Sequence, residues 1–261
     1  MLYLMAAAAF TASRLPRFST RSQPLFVVGT IATATGIVIH GEALFTLIFL
    51  ADGFDLTIGN VISMIGFELA IISLIASLEP ALRGISGGLV LLASLTVLLM
   101  GPSGEALSGA GLAWQVRAHI LVAMLSYGLL SVGTIVALYA LVQERRLHAA
   151  KLSPVNQLFA PLETTEKLLF GVAAAGFAGL TLAIVSGLSF VEDLVEQHLA
   201  HKFGLSLLAW AVFGILLAGR FFKGWRGKRA VRLYLGGFAV LCLAYFGSRL
   251  ILEEVFNRSW S

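Results

Sequence analysis

His119 and His201 are the residues whose type and placement best suit chemistry. His119 sits in WQVRAHILVAMLSYGLL, two residues after Arg117, and His201 opens HKFGLSLLAWAVFGILLAG, directly before Lys202. Each imidazole stands about one turn inside an apolar run long enough to cross a bilayer, so the two lie at similar depth. A ligand that takes two neutral imidazoles and two flanking cations is haem (heme): its iron accepts axial His ligands and its propionates pair with Arg or Lys. His119 and His201 are therefore candidate metal and axial ligands, with Arg117 and Lys202 as candidate propionate partners. On the helix of His119, residues Ala123, Ser126, Leu130 and Gly133 continue the same face and are mostly small enough to admit a flat macrocycle. Tyr127 lies beside that face, within reach of a ring edge or propionate. The competing reading is two interfacial histidines satisfied by carbonyls and water, flanked by cations that meet lipid phosphate.

Other reactive side chains carry weaker signals. His198 and His201 are three apart, with Asp193 and Glu196 nearby, the loose outline of a shared metal site. His40 reads as a hydrogen-bonded rim residue or, less well, as a third outer ligand, and His148 as a solvated loop residue. Glu68 falls near the middle of an apolar run, where a bare carboxylate costs several kcal/mol. It is either protonated and hydrogen-bonded, or meets a cation such as Arg249 or a water-filled cavity. Cys242 is the one cysteine, which excludes an intramolecular disulfide and leaves a small buried hydrophobe.

These residues need a membrane to position them. The chain is 58% hydrophobic and 12% charged, against roughly 25% charged in an ordinary soluble domain. Its mean hydropathy is +0.91. Net charge is +4, yet the basic residues sit in short loops between apolar runs. They read as topology signals and partners for membrane lipid, with no aromatic-interleaved surface for nucleic acid. The N-terminus is apolar first and basic afterwards, the reverse of a secretory signal, and reads as a short retained span.

Eight helical spans are expected, at about 1–13, 24–43, 56–78, 84–100, 114–142, 166–190, 201–220 and 230–252. Loops with Lys and Arg stay on the cytoplasmic side. The densest cluster, Arg220, Lys223, Arg226, Lys228, Arg229 and Arg232, places Arg220 inside and His201 outside. Arg14, Arg17, Arg21, Arg83, Arg145, Arg146, Lys151 and Lys167 then fall on the same side, fourteen of the eighteen basic residues. The outer side keeps Arg117, Lys202, Arg249 and Arg258. It also holds the acidic loops with Asp52, Asp55, Glu105, Glu192, Asp193, Glu196, Glu253 and Glu254. Four of the five histidines, all but His148, lie at the outer side, and both termini are extracytoplasmic. The expected fold is thus an all-α polytopic transmembrane helix bundle forming a single domain over 1–261. In the sixth span, Gly171, Ala175, Gly179, Ala183 and Gly187 recur every fourth residue, a spacing that suits close helix packing.

The run HKFGLSLLAW…GRFFKGWRGKRAVRLYLGGFAVLCLAYFGS resembles the C-terminal spans of cytochrome c assembly membrane proteins, the CcsA, CcmC and HemX group. Within it the chain is most similar to the inner-membrane YpjD-like branch, in PLETTEKLLFGVAAAGFAGLTLAIVSG as well. WQVRAHILVAMLSYGLLSVG matches the span in which that family places an outer haem-ligating histidine, here His119. The resemblance implies an inner (plasma) membrane location, haem handling, and work beside other cytochrome assembly proteins. The chain departs from haem-handling members in three places. LSFVEDLVEQHLA stands where they carry a tryptophan-rich loop, Ala218 where they have a membrane histidine, and YFGSRLILEEVF lacks their last outer histidine. Only His119 carries over directly.

A haem-binding membrane protein of this type is the expected function, without enzymatic activity, since no nucleophile, hydrolase triad or phosphate loop is present. The alternatives are a HemX-like regulatory scaffold without haem, docking through loops 143–165 and 220–232, and a small-substrate permease with Glu68 as coupling carboxylate.

Overall fold

A computed structural model describes residues 1–50, 53–54, 57–101, 107–108, 114–148, 161–189 and 200–244. Among these the regular structure is helical, apart from three strands of two residues each. Eight α-helices follow in order: α1 (Leu2–Ser13), α2 (Ser22–Ile48), α3 (Ile58–Leu78), α4 (Arg83–Thr96), α5 (Trp114–His148), α6 (Leu162–Leu188), α7 (Ala200–Lys223) and α8 (Gly227–Cys242). They stand close to the eight apolar runs read from the sequence, each satisfying its backbone hydrogen bonds within itself, as an apolar setting requires. Among the described residues five stretches, in α2, α3, α5, α6 and α7, are long and apolar enough to cross a membrane. Helix α1, at 12 residues, and α4 with its tighter extension Val97–Leu99 are shorter. Large apolar side chains such as Val38, Phe45, Leu182 and Phe221 stay exposed, as lipid-facing helix surfaces do. The unexpected feature is a small antiparallel ribbon, in which Gly53–Phe54 (β2) pairs with Phe49–Leu50 (β1) and with Leu107–Ser108 (β3).

The chain forms two compact units, Met1–Ala113 with Gln143–Leu168, and Trp114–Val142 with Leu169–Ser261. In the first, α1 packs on α2 and α4, and α3 on α4 and α2. Small residues set these approaches. The buried Phe10 ring lies against Gly29, Tyr3 against Gly36, and the Thr96 side chain fills the place of a Cβ at Gly66. Without a hydrophobic driving force in lipid, such close backbone contact supplies the dispersion energy of association.

In the second unit α5 runs antiparallel to α6, and α7 packs on α8. The Trp210 indole donates to Thr181 Oγ1 at 2.9 Å and stacks on Phe177, tying α7 to α6. The glycines of GWRG make the α7–α8 turn. Gly224 and Gly227 have φ of 64° and 60°, the left-handed region that a side chain disfavours. The Trp225 ring folds onto Gly219, the Trp225 backbone N–H donates to Gly219 O at 3.1 Å, and Arg220 Nη1 donates to the Trp225 carbonyl at 3.4 Å.

Candidate functional site

His119 lies in the second turn of α5 and is half-buried. Its Nδ1 is 2.8 Å from Ser186 Oγ, near the end of α6, and that hydroxyl lies 3.1 Å from Ala183 O as donor. A serine carries one proton. With that proton directed to Ala183 O, the Ser186 oxygen accepts from Nδ1–H; with it directed to the ring, Ser186 donates to Nδ1, and in either case the contact fixes the ring plane. This is how a second residue orients an imidazole for a metal. Gly187 leaves the room, since a Cβ there would stand 3.2 Å from His119 Cε1. Neither Ser186 nor Gly187 was singled out beside His119 from sequence. The one signal was the row of small residues that ends in Gly187; nothing pointed to Ser186.

The face of α5 that continues His119 is not the open slot expected from its small residues. Ser126 Oγ donates to Gly176 O at 2.7 Å, and a Cβ at Gly179 would stand 3.0 Å from Ser126 Cβ. Leu130 packs on Gly176, and the Tyr234 hydroxyl from α8 occupies the space over Gly133 and donates to Leu130 O at 3.0 Å. Small residues here bring α6 and α8 close instead of admitting a macrocycle. The contacting row on α6 also differs from the one expected. It runs through Gly176, Gly179, Ala183 and Gly187, while Gly171 and Ala175 are exposed. Steps of four advance about 40° around the helix each time, so an unbroken series drifts off one face, and a step of three restores it.

Arg117 is half-buried, and its Nε is buried with no hydrogen-bond acceptor among the described residues. Tyr127 is half-buried on α5, its carbonyl accepting from Ser131 Oγ at 2.7 Å. His201 and Lys202 lie in the first turn of α7. Their side chains, and that of His148, fall outside the described residues, as do His198, Asp193, Glu196 and Arg249 entirely. Among the described residues no group of three or more His, Cys, Asp or Glu is placed to hold a metal ion.

The first unit contains a second polar centre. His40, only 4% exposed, is buried in the helix packing instead of at a rim. Its Nδ1 lies 3.2 Å from the Tyr3 hydroxyl and its Nε2 2.9 Å from Ser63 Oγ. The rings of Tyr3 and Phe67 meet it edge-on at 5.7 and 5.6 Å. With both nitrogens engaged, His40 ties α1, α2 and α3 together and offers no lone pair to iron. Glu68, also 4% exposed, has no hydrogen-bond partner for either carboxyl oxygen among the described residues.

Apolar crossing helices, basic loops and an imidazole held through Nδ1 at the end of a crossing helix define a multi-pass membrane protein. Residues 1–256 match the family described as Cytochrome C assembly protein, and the chain belongs to that family. The inner membrane protein YpjD of Escherichia coli (strain K12) is 34% identical over 137 residues, 52% of each chain. A 28.8 kDa uncharacterized protein of Azospirillum brasilense is 28% identical over 160 residues, 60% of this chain and 59% of its own. The cytochrome c biogenesis protein CcsA of Guillardia theta is 27% identical over 159 residues, 54% of this chain and 53% of its own. The chain thus spans about half the length of the curated relatives it matches. No solved structure matches it.

Proposed function

We propose that this protein is a haem-handling integral membrane protein of the cytochrome c assembly type. In this reading its eight helices each cross the bacterial inner membrane, with both termini extracytoplasmic. The observation that carries the proposal is the His119 imidazole, half-buried in the second turn of a membrane-length helix and held through Nδ1 by Ser186 Oγ at 2.8 Å, the kind of second-residue contact that orients a metal-binding imidazole. Family membership and the relatives named CcsA support it.

Of the donors described, one imidazole, His119, would hold the iron. The packed face Ser126–Gly133 does not serve as a slot. His119 would hold haem with Arg117 as a propionate partner, and His201, Lys202 and Tyr127 complete the proposed set. Bound haem would supply a redox-active iron. No enzymatic step is assigned to the chain. Its proposed partners are membrane lipid, haem and other cytochrome assembly proteins, with no nucleic acid.

The test is the absorption spectrum of protein purified from haem-replete cells. A Soret band that disappears in both His119→Ala and His201→Ala, and weakens in Ser186→Ala, is the expected result. A wild-type protein without the band, or a band that survives His119→Ala, overturns the proposal. The filled face of α5 favours a second reading, a scaffold without haem that docks through loops 143–165 and 220–232. Uptake or efflux that depends on Glu68 would instead support a permease.

A further inference from the structure

We propose that a cavity in the first unit, where α1, α2 and α4 meet, binds the phosphate group of an anionic membrane lipid. The cavity has a volume of about 300 Å³ and is lined by Ser13, Arg14, Ser22, Phe26 and Arg83. Two guanidiniums therefore line one space, and no carboxylate does. The first turns of α2 and α4, which border it, are also free of acidic residues.

Arg83 is prepared for an anion. Its guanidinium lies 3.9 Å above the Phe26 ring, and its Nε donates to Ser77 O at 3.2 Å. These two contacts hold the planar group in place, while neither Nη has an acceptor among the described residues. A fixed guanidinium edge with free N–H groups matches two phosphate oxygens, a geometry that an ammonium cannot reproduce. The serine hydroxyls are already committed: Ser22 Oγ donates to Ser13 O at 2.8 Å, and Ser13 Oγ to Phe10 O at 2.7 Å. They shape the cavity by fixing the α1–α2 connection, and the arginines supply the attraction.

The location favours a lipid over a soluble anion. The cavity opens beside the basic stretch Arg14–Arg21, at the ends of apolar helices, on the side that retains positive charge. The cytoplasmic leaflet is where anionic headgroups concentrate, and basic pockets between helices suit their phosphates.

The full chain in an uncharged detergent is titrated with phosphatidylglycerol, phosphatidylcholine or inorganic phosphate, with binding read by native mass spectrometry and by the thermal midpoint. Phosphatidylglycerol is expected to bind more tightly than phosphatidylcholine. Loss of one charged hydrogen-bonding group weakens such a contact by about tenfold, the effect expected for Arg83→Gln and Arg14→Gln. Arg17→Gln removes the same charge from an exposed position outside the cavity and is expected to bind as wild type. Arg83→Lys keeps the charge without the planar edge and is expected to fall between. Should Arg83→Gln fail to fold, Arg14→Gln and Arg83→Lys decide. Inorganic phosphate that stabilises as strongly, and in the same Arg83-dependent way, would confirm the phosphate site and make its ligand soluble. Equal losses in Arg17→Gln, or none in the two cavity variants, overturn the proposal.

Discussion

Replacing His40 with alanine is the perturbation that most directly tests how the first unit is held together. The imidazole makes two hydrogen bonds, at 3.2 Å to Tyr3 and 2.9 Å to Ser63, and both partners are buried, Tyr3 at 5% exposure and Ser63 at 0%. Each bond contributes about 1 kcal/mol net, and about 0.6 kcal/mol on average between membrane helices. Truncation also strands two hydroxyls in a dry interior, at about 1–3 kcal/mol each, and opens a cavity beneath the Tyr3 and Phe67 rings. Some stranding is relieved by rotating Ser63 onto a carbonyl of its own helix, so the expected loss is about 3–5 kcal/mol. Tyr3→Phe keeps the ring but leaves the buried His40 Nδ1 without that partner, and is expected to cost about 1–2 kcal/mol. The assay is reversible unfolding in mixed micelles followed by circular dichroism, with the double variant completing a cycle that isolates the Tyr3–His40 coupling. A His40→Ala variant within about 0.5 kcal/mol of wild type would refute the reasoning, because surface substitutions alone reach that range. Equal losses for Tyr3→Phe and His40→Ala would also refute it, by placing the energy in the hydroxyl instead of the imidazole tie.

Two further outcomes follow from contacts in the helices. Gly133→Ala places a methyl where the Tyr234 hydroxyl now lies, and overpacking of this kind costs about 1–3 kcal/mol. The Gly133→Ala/Tyr234→Phe double variant should recover part of that loss, and thermal unfolding that shows strict additivity would refute the contact. Glu68→Gln should keep the wild-type thermal midpoint, since an amide has the shape and neutrality of a carboxyl without an ion-pair partner. A fall of more than about 2 kcal/mol would reveal a charged partner that the amide cannot satisfy.

The sequence by itself determined the helices and placed His119 near the end of one. Hydrocarbon leaves an apolar run no alternative to the helix, and the runs around His119 and His201 are long enough to count. Glu68 was likewise legible as a carboxyl within a span. What the sequence did not determine was which side chains meet. Ser186 is 67 residues from His119, and Ser63 and Tyr3 are 23 and 37 residues from His40. No local pattern announces partners that far apart. The α5 face shows the same limit, because small residues make room for a flat ligand and for a neighbouring helix equally well. Only the tertiary structure decided between them, by bringing Gly176, Gly179 and Tyr234 onto Ser126, Leu130 and Gly133. Helix formation follows from what each backbone lacks in lipid, whereas helix contact depends on the shapes of two surfaces that the chain carries far apart.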